Sequence, residues 1–252
     1  MISVFFKIFA FVFLRYNLLS STTYYLFYIK FKGKFLQKKI QKNEVKSQDI
    51  QREYLYSVIT LIIFAIQGLI LYKTPLRNHS LLYNNIADYG WFYLVSSFFI
   101  ALFIHDTYFY WTHRFMHIPF IYKHSHYIHH KSINPTPFAA FSFHPLEAIL
   151  EGGIVWILAF LIPMHENLLL FFLFFSNVLN VYGHLGYEIL PKNFQNSTLK
   201  NIIISSFNHN MHHRYFNGNY GLYFIFWDNF MNTTFSNYNE KLKAYFNLGK
   251  KL

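Results

Sequence analysis

The stretch WFYLVSSFFIALFIHDTYFYWTHRFMH, residues 91–117, joins two kinds of sequence in one run. Its first part, Trp91–Phe109, contains no Lys or Arg and approaches the roughly 20 apolar residues a helix needs to cross a hydrocarbon core of about 30 Å. Its last part, His113-Arg114-Phe115-Met116-His117, sets two imidazoles four residues apart, on one face of a helix. A membrane span therefore runs straight into a spacing suited to binding a metal.

Working outward, Leu55–Tyr72 with its flanks is a second clean span. Ala148–Pro163 and Leu168–Val181, separated only by Met164, His165, Glu166 and Asn167, read as a tight helical hairpin with each arm near the short limit for crossing. Ile2–Tyr28 is apolar but interrupted by Lys7 and Arg15, which are costly at mid-bilayer and tend to snorkel or mark an interfacial helix. It lacks a small-residue cleavage site, so it is kept as an optional N-terminal helix. Composition agrees. Of the 252 residues 54% are hydrophobic and only 13% charged, against roughly a quarter charged in soluble domains. The expected fold is an all-α integral membrane protein with about four membrane-embedded helices, including the helical hairpin. A cytoplasmic His-rich helical cap is expected from residues 111–147 and 183–252.

The chain has no Cys, which excludes disulfides, thiolate ligands, iron–sulfur clusters and a Cys nucleophile. Net charge is +11, but the basic residues cluster beside apolar spans and no nucleic-acid-binding module is present, so no nucleic-acid partner is expected. The cluster sets orientation. Lys30, Lys32, Lys34, Lys38, Lys39, Lys42, Lys46 and Arg52 fall between the first two spans, whereas Thr74–Tyr89 holds only Arg77. The positive-inside rule makes the first of these loops cytoplasmic. Counting spans from there brings residue 111, both ends of the hairpin and residues 183–252 to the same cytoplasmic face.

Fourteen His occur, thirteen of them between His105 and His213. Three groups have helical spacing: His113/His117, His126/His129/His130 and His209/His212/His213, each able to aim its imidazoles at a common point. Neutral imidazole is the commonest biological nitrogen ligand for iron, zinc, copper and nickel. These eight, with His184 after the hairpin as a ninth, overfill one zinc site, which takes three or four protein ligands. Two six-coordinate metals offer twelve positions, leaving about three for O2, water or a bridging oxygen. That is the requirement of a pair of redox-active irons. Asp106, Glu147 and Asp228 lie near the groups, suited either to accept the other ring N–H of a ligand and fix its tautomer or to form salt bridges to Arg114, Arg214 or a nearby Lys. His144 suits either such a supporting contact or a satisfied buried or interfacial position. Tyr108, Phe109, Tyr110 and Trp111 suit either a lipid tunnel or an interfacial aromatic belt.

In order and spacing, Asp106-Thr-Tyr-Phe-Tyr-Trp-Thr-His113-Arg-Phe-Met-His117, His126-x-x-His129-His130, His144-Pro-Leu-Glu147, His184, His209-x-x-His212-His213, Asn219-Tyr-Gly221 and Trp227-Asp228 resemble the fatty acid hydroxylase / sterol desaturase superfamily, over about residues 95–230. The resemblance implies a catalytic domain there, following N-terminal membrane helices and a basic loop (1–94) and preceding a C-terminal cytoplasmic tail (231–252). It implies a membrane-bound, non-haem diiron oxygenase that hydroxylates or desaturates a C–H bond of a lipid such as a fatty acyl chain or sterol. Its cofactors would be two Fe, with O2 and NAD(P)H-derived electrons arriving through a separate redox protein, such as cytochrome b5 or ferredoxin with its reductase. Carried over by position, the metal ligands are His113, His117, His126, His129, His130, His184, His209, His212 and His213. The setting would be a bacterial inner membrane or endoplasmic reticulum. His105 and His124 stand outside the pattern, and His79 and His165 fall in far-side loops. The alternatives are a membrane acyl-lipid desaturase and a non-enzymatic metal-binding membrane protein. A carrier would set ionisable ligands along its spans, whereas these groups lie beyond them.

The orientation has a direct check. A tag or single Cys introduced near Asn43 should label from the cytoplasmic side and one near Asn84 from the opposite side. Labelling of both from one side would deny the His groups a shared face.

Overall fold

The computed structural model describes residues 1–248. It has four helices long and apolar enough to cross a membrane: α1 (Ile2–Lys30), α2 (Ser47–Lys73), α3 (Gly90–Met116) and, after several short elements, Glu166–Gly183. Between α3 and this last helix lie α4 (Pro119–Ser125), α5 (Tyr127–His130), α6 (Pro145–Gly152) and α7 (Ile154–Leu161), so Glu166–Gly183 is α8. Then follow α9 (Ser206–Tyr215), α10 (Phe226–Phe230) and α11 (Tyr238–Leu248). Of the expected C-terminal tail, residues 249–252 lie outside the described residues.

Several large apolar side chains of the long helices point away from the protein. Phe92, Val95, Phe99 and Phe103 line one face of α3 and are all more than half exposed, as are Phe6, Leu14 and Leu18 on α1. In water such stripes would form a large unstable patch; facing lipid tails they are the expected surface. Inward, Leu71, Ala101, Leu102, Ile154, Leu158, Met164, Leu169 and Phe172 pack α2, α3, α7 and α8 into one core. Tyr16 and Leu61, with Phe141, Phe143 and Ala148, join α1 and α2 to the segment that leads into α6.

The hairpin differs in one respect from two continuous arms. Its first arm is two eight-residue helices, α6 and α7, which meet at Gly152–Gly153. A Cβ on Gly152 would clash with Gln67 Oε1 and lie 2.9 Å from the Phe64 ring, and one on Gly153 would lie 2.6 Å from the Tyr108 hydroxyl. That hydroxyl donates to Leu150 O at 2.6 Å. The break thus lets α2 and α3 close on the arm from both sides. At the tip, β2 (Met164–His165) pairs in parallel with β1 (Leu82–Tyr83), and Arg77 forms an ion pair with Glu166. His79 and His165 belong to this end, with His165 Nε2 at 3.0 Å from Asn84 O.

At the opposite end the cap closes over α9, whose residues Ser206–His213 are all buried. Ser205 caps the helix, its hydroxyl accepting from Asn208 N. Tyr238, Leu242 and Phe246 of α11, spaced four apart, pack with Phe194, Phe207 and Met211 to cover it.

The close approach at the α6–α7 break predicts a stability effect. Gly152→Val should cost about 1–3 kcal/mol through overpacking, read as a lowered thermal midpoint of the detergent-purified protein. Gly33→Ala, at a position with nothing within 4 Å, should leave the midpoint unchanged. An unchanged midpoint in Gly152→Val would refute the tight packing.

Candidate metal centre

Helix α3 ends at the site. His113 lies in its last turn and His117 is its C-cap; Pro119 then opens α4, and α5 carries His129 and His130 back beneath α3. His184 is the C-cap of α8, and α9 lies alongside with His209, His212 and His213. Four separate stretches thereby converge, and the nine imidazoles sort into two groups. His113, His117, His126, His130 and His212 form one, His129, His184, His209 and His213 the other, with the candidate ligand atoms of each group within 4.8 Å of one another. His126 and His129, one from each group, stack with ring centroids 5.1 Å apart.

The grouping corrects one expectation. A His-x-x-His-His box does not aim at one point: its i and i+4 members go to one group and its i+3 member to the other, in both α5 and α9. The cause is helical phase. At 3.6 residues per turn, i+4 lies about 40° to one side of i and i+3 about 60° to the other. Each box therefore supplies both groups.

The ring nitrogens face one another. Within the group of five, Nε2 of His113 lies 3.0 Å from Nε2 of His126, and Nε2 of His130 lies 3.2 Å from Nε2 of His117. Within the group of four, the Nε2–Nε2 distances are 3.3 Å for His184–His129, 3.0 Å for His209–His184 and 3.2 Å for His213–His209. Around one metal with bonds of about 2.1 Å, neighbouring nitrogens are about 3.0 Å apart in an octahedron and about 3.4 Å apart in a tetrahedron. Nε2 of His212 is buried with no hydrogen-bond partner. Such an atom costs free energy unless something fills its lone pair. These separations and the orphaned nitrogen fit metal ions.

Four of the rings are held from behind. Nδ1 of His113 bonds Tyr220 O at 2.8 Å, that of His184 bonds Asn180 O at 2.8 Å, and that of His212 bonds Gly218 O at 2.7 Å. Nδ1 of His126 bonds Glu147 Oε1 at 2.7 Å. A donor role for Nδ1 in these contacts leaves Nε2 as the lone-pair nitrogen. Burial pushes His184 down to about 4 and His117 down to about 2. Burial first, then neighbouring imidazoles, holds His126, His129, His130, His209, His212 and His213 well below the ordinary histidine value. The rings are thus neutral, the form that binds metals.

Of the supporting residues read from sequence, Glu147 alone touches an imidazole. Asp106 instead accepts from the backbone N–H groups of Tyr223 and Phe224, and Asp228 from those of Tyr220 and Gly221 and from the Thr233 hydroxyl. Asp228 thereby fixes the loop whose Tyr220 carbonyl orients His113. His144 caps α6, accepting from Leu146 N. His105 is buried on α3 with its Nδ1 2.9 Å from the Tyr223 hydroxyl, and His124 lies outside both groups, its Nδ1 bonding Phe120 O. The orienting carbonyls of Tyr220, Asn180 and Gly218 were invisible in the sequence, because every residue type carries one.

An apolar cavity of about 510 Å³ runs among α1, α2, α3, α6, α7 and α8, within the range of about 300–1,000 Å³ typical of small-molecule sites. Phe109, Phe143 and Asn180 line it toward the histidines. The Phe109 ring lies 5.0 Å from that of His113, and the Phe143 ring 5.2 Å from that of His129. A smaller cavity of about 330 Å³ shares Asn180 and Leu222 with it and touches His209. Of the four aromatics 108–111, Phe109 lines the large cavity while Trp111 is exposed.

Residues 98–233 match the model of the fatty acid hydroxylase family. The chain is 35% identical over 189 residues to a Delta(7)-sterol 5(6)-desaturase of Gibberella zeae, covering 75% of this chain and 55% of that protein. It is 35% identical over 181 residues to lathosterol oxidase of Rattus norvegicus, covering 71% and 59%. With a Delta(7)-sterol 5(6)-desaturase of Leptosphaeria maculans it shares 34% identity over 217 residues, covering 84% and 56%. The chain thus spans somewhat over half the length of these relatives. No solved structure matches it.

The split of the boxes predicts separate losses. His212→Ala should remove metal from the group of five and His209→Ala from the group of four, each lowering metal content from about two ions per chain toward one. The double variant should fall further, and His79→Ala should change nothing. Full metal content in either single variant, by elemental analysis of purified protein, would contradict the grouping.

Proposed function

The chain belongs to the fatty acid hydroxylase family, and from that premise we propose that it is a membrane-bound, O2-dependent diiron oxidoreductase that hydroxylates or desaturates a C–H bond of a lipid. The observation that carries this reading is the sorting of nine imidazoles, eight of them buried, into a five and a four with their Nε2 atoms inward. His113, His117, His126, His130 and His212 would hold one iron; His129, His184, His209 and His213 would hold the other. When bound, the two irons supply the O2 chemistry that takes hydrogen from an unactivated carbon.

The protein's own residues do the rest. Glu147 and the carbonyls of Tyr220, Asn180 and Gly218 fix four imidazoles so that each lone pair points inward. The Glu147 carboxylate also offsets part of a charge of about +4 that two ferrous ions would bring among neutral rings. Phe109 and Phe143 form the wall between histidines and cavity, keeping water away while one stretch of a lipid is held nearby. The relatives' names point to sterol desaturation, and a fatty acyl chain is the other lipid class the family name suggests. Electrons would come from NAD(P)H through a separate cytochrome b5 or ferredoxin system. The histidine face would be cytoplasmic, on a bacterial inner membrane or endoplasmic reticulum.

A non-enzymatic metal carrier is the contrasting reading. It is disfavoured because, of the nine imidazoles, only His113 lies within a helix long enough to span, so no ladder of ligands crosses the membrane.

Membranes containing the protein, supplied with NAD(P)H, an electron-transfer partner and lipid, should consume ¹⁸O2. Mass spectrometry of the extracted lipid should then find either a labelled hydroxyl or a new unlabelled double bond. No lipid change despite a full iron complement and a competent reductant would overturn the enzyme reading.

A further inference from the structure

The large cavity has an unusual wall. Lys7, Phe11 and Arg15 of α1 line it together, on one helical face at spacings of four. Arg15 lies inside a helix long and apolar enough to span a membrane. Its Nε and Nη1 are buried and have no hydrogen-bond partner, and among the described residues Arg15 enters no ion pair. The Phe11 ring lies with its centroid 5.8 Å from the guanidinium carbon, a weak compensation for buried, unpartnered N–H groups. An ionisable group held within a span faces a partner or a ligand, and a guanidinium stays charged.

The other charges around the cavity leave Arg15 unpaired. Lys7 and Lys73 line it from exposed positions, Glu166 is engaged by Arg77, and the buried Glu151 forms no ion pair with Arg15. The cavity is also long. On α8 its lining runs from Glu166 to Asn180, about 21 Å at 1.5 Å per residue, more than the roughly 15 Å of one leaflet's hydrocarbon. Arg15 sits beside Tyr16, whose ring stacks on Phe141 at 5.6 Å, so it belongs to the half of the cavity nearer the histidines.

We propose that Arg15 binds the carboxylate of an acyl lipid whose chain lies along α8 in this cavity. This rests on the reading of the cavity as the lipid chamber of the oxidase, and it selects an acidic acyl chain over a neutral sterol alcohol. A carboxylate brings a negative charge to the guanidinium together with acceptors for its orphaned N–H groups, whereas a hydroxyl supplies an acceptor alone.

Binding to the full-length protein in nanodiscs, measured with radiolabelled oleate and oleyl alcohol of equal chain length, tests this without turnover. Oleate should bind about tenfold or more tightly than the alcohol. Arg15→Gln should remove that preference and Arg15→Lys should keep most of it. Should Arg15→Gln fail to fold, Leu173→Trp, which fills the cavity from α8, should block oleate binding with Arg15 intact. Equal binding of acid and alcohol, an acid preference surviving in Arg15→Gln, unaltered oleate binding in Leu173→Trp, or displacement of oleate by cholesterol as effective as by unlabelled oleate would each overturn the proposal. An intact acid preference without lipid oxidation would instead count against the oxidase reading alone.

Discussion

The structure depends on the cost of gathering nine imidazoles, eight of them buried. A ring nitrogen taken out of water without a partner is unfavourable by a few kcal/mol, and eight of these nine residues are buried, with His117 only partly accessible. The cost is offset from two directions: Nδ1 of His113, His184 and His212 bonds a carbonyl and that of His126 bonds Glu147, and the Nε2 atoms gather where metal ions can take their lone pairs, whereas Nδ1 of His129, His130 and His213 has no partner. Much of the rest follows from that need. The short helices α4 and α5 fold the first box back under α3, α11 shields α9, and Asp228 pins the loop that presents Tyr220 O.

The same helices that carry the apolar outer faces also deliver histidines to the two groups. Helix α3 carries exposed Phe92, Val95, Phe99 and Phe103 at one end and His113 at the other. Helix α8 starts beside the β1–β2 pair and ends at His184. The two histidine groups are consequently fixed to rigid spans, and the apolar cavity between those spans ends one aromatic side chain away from them. A soluble scaffold would have to build such a chamber separately; here the packing of the bundle leaves it open.

Much of this was legible in the sequence, because two periodicities are local. Long apolar runs mark spans, and His at i, i+3 and i+4 mark helical faces. Eight of the histidines that meet belong to those boxes; the ninth, His184, has no such spacing and entered by its position after the hairpin and by the family resemblance. The local pattern could not reveal how each box divides, since the direction of the i+3 ring matters only once a second group stands beside the first. Asp106, Asp228 and His144 misled for a related reason: closeness in sequence to a His suggested contact, but each bonds backbone N–H groups instead. Lys7 and Arg15 made the N-terminal segment an uncertain span. Both line the cavity, which explains how the helix carries them.

The two-metal reading is tested most directly by anomalous diffraction from crystals of the iron-loaded protein, recorded on either side of the iron edge. Two iron peaks should appear, one ringed by His113, His117, His126, His130 and His212 and the other by His129, His184, His209 and His213. A single peak shared by all nine, or iron bound away from them, would contradict it.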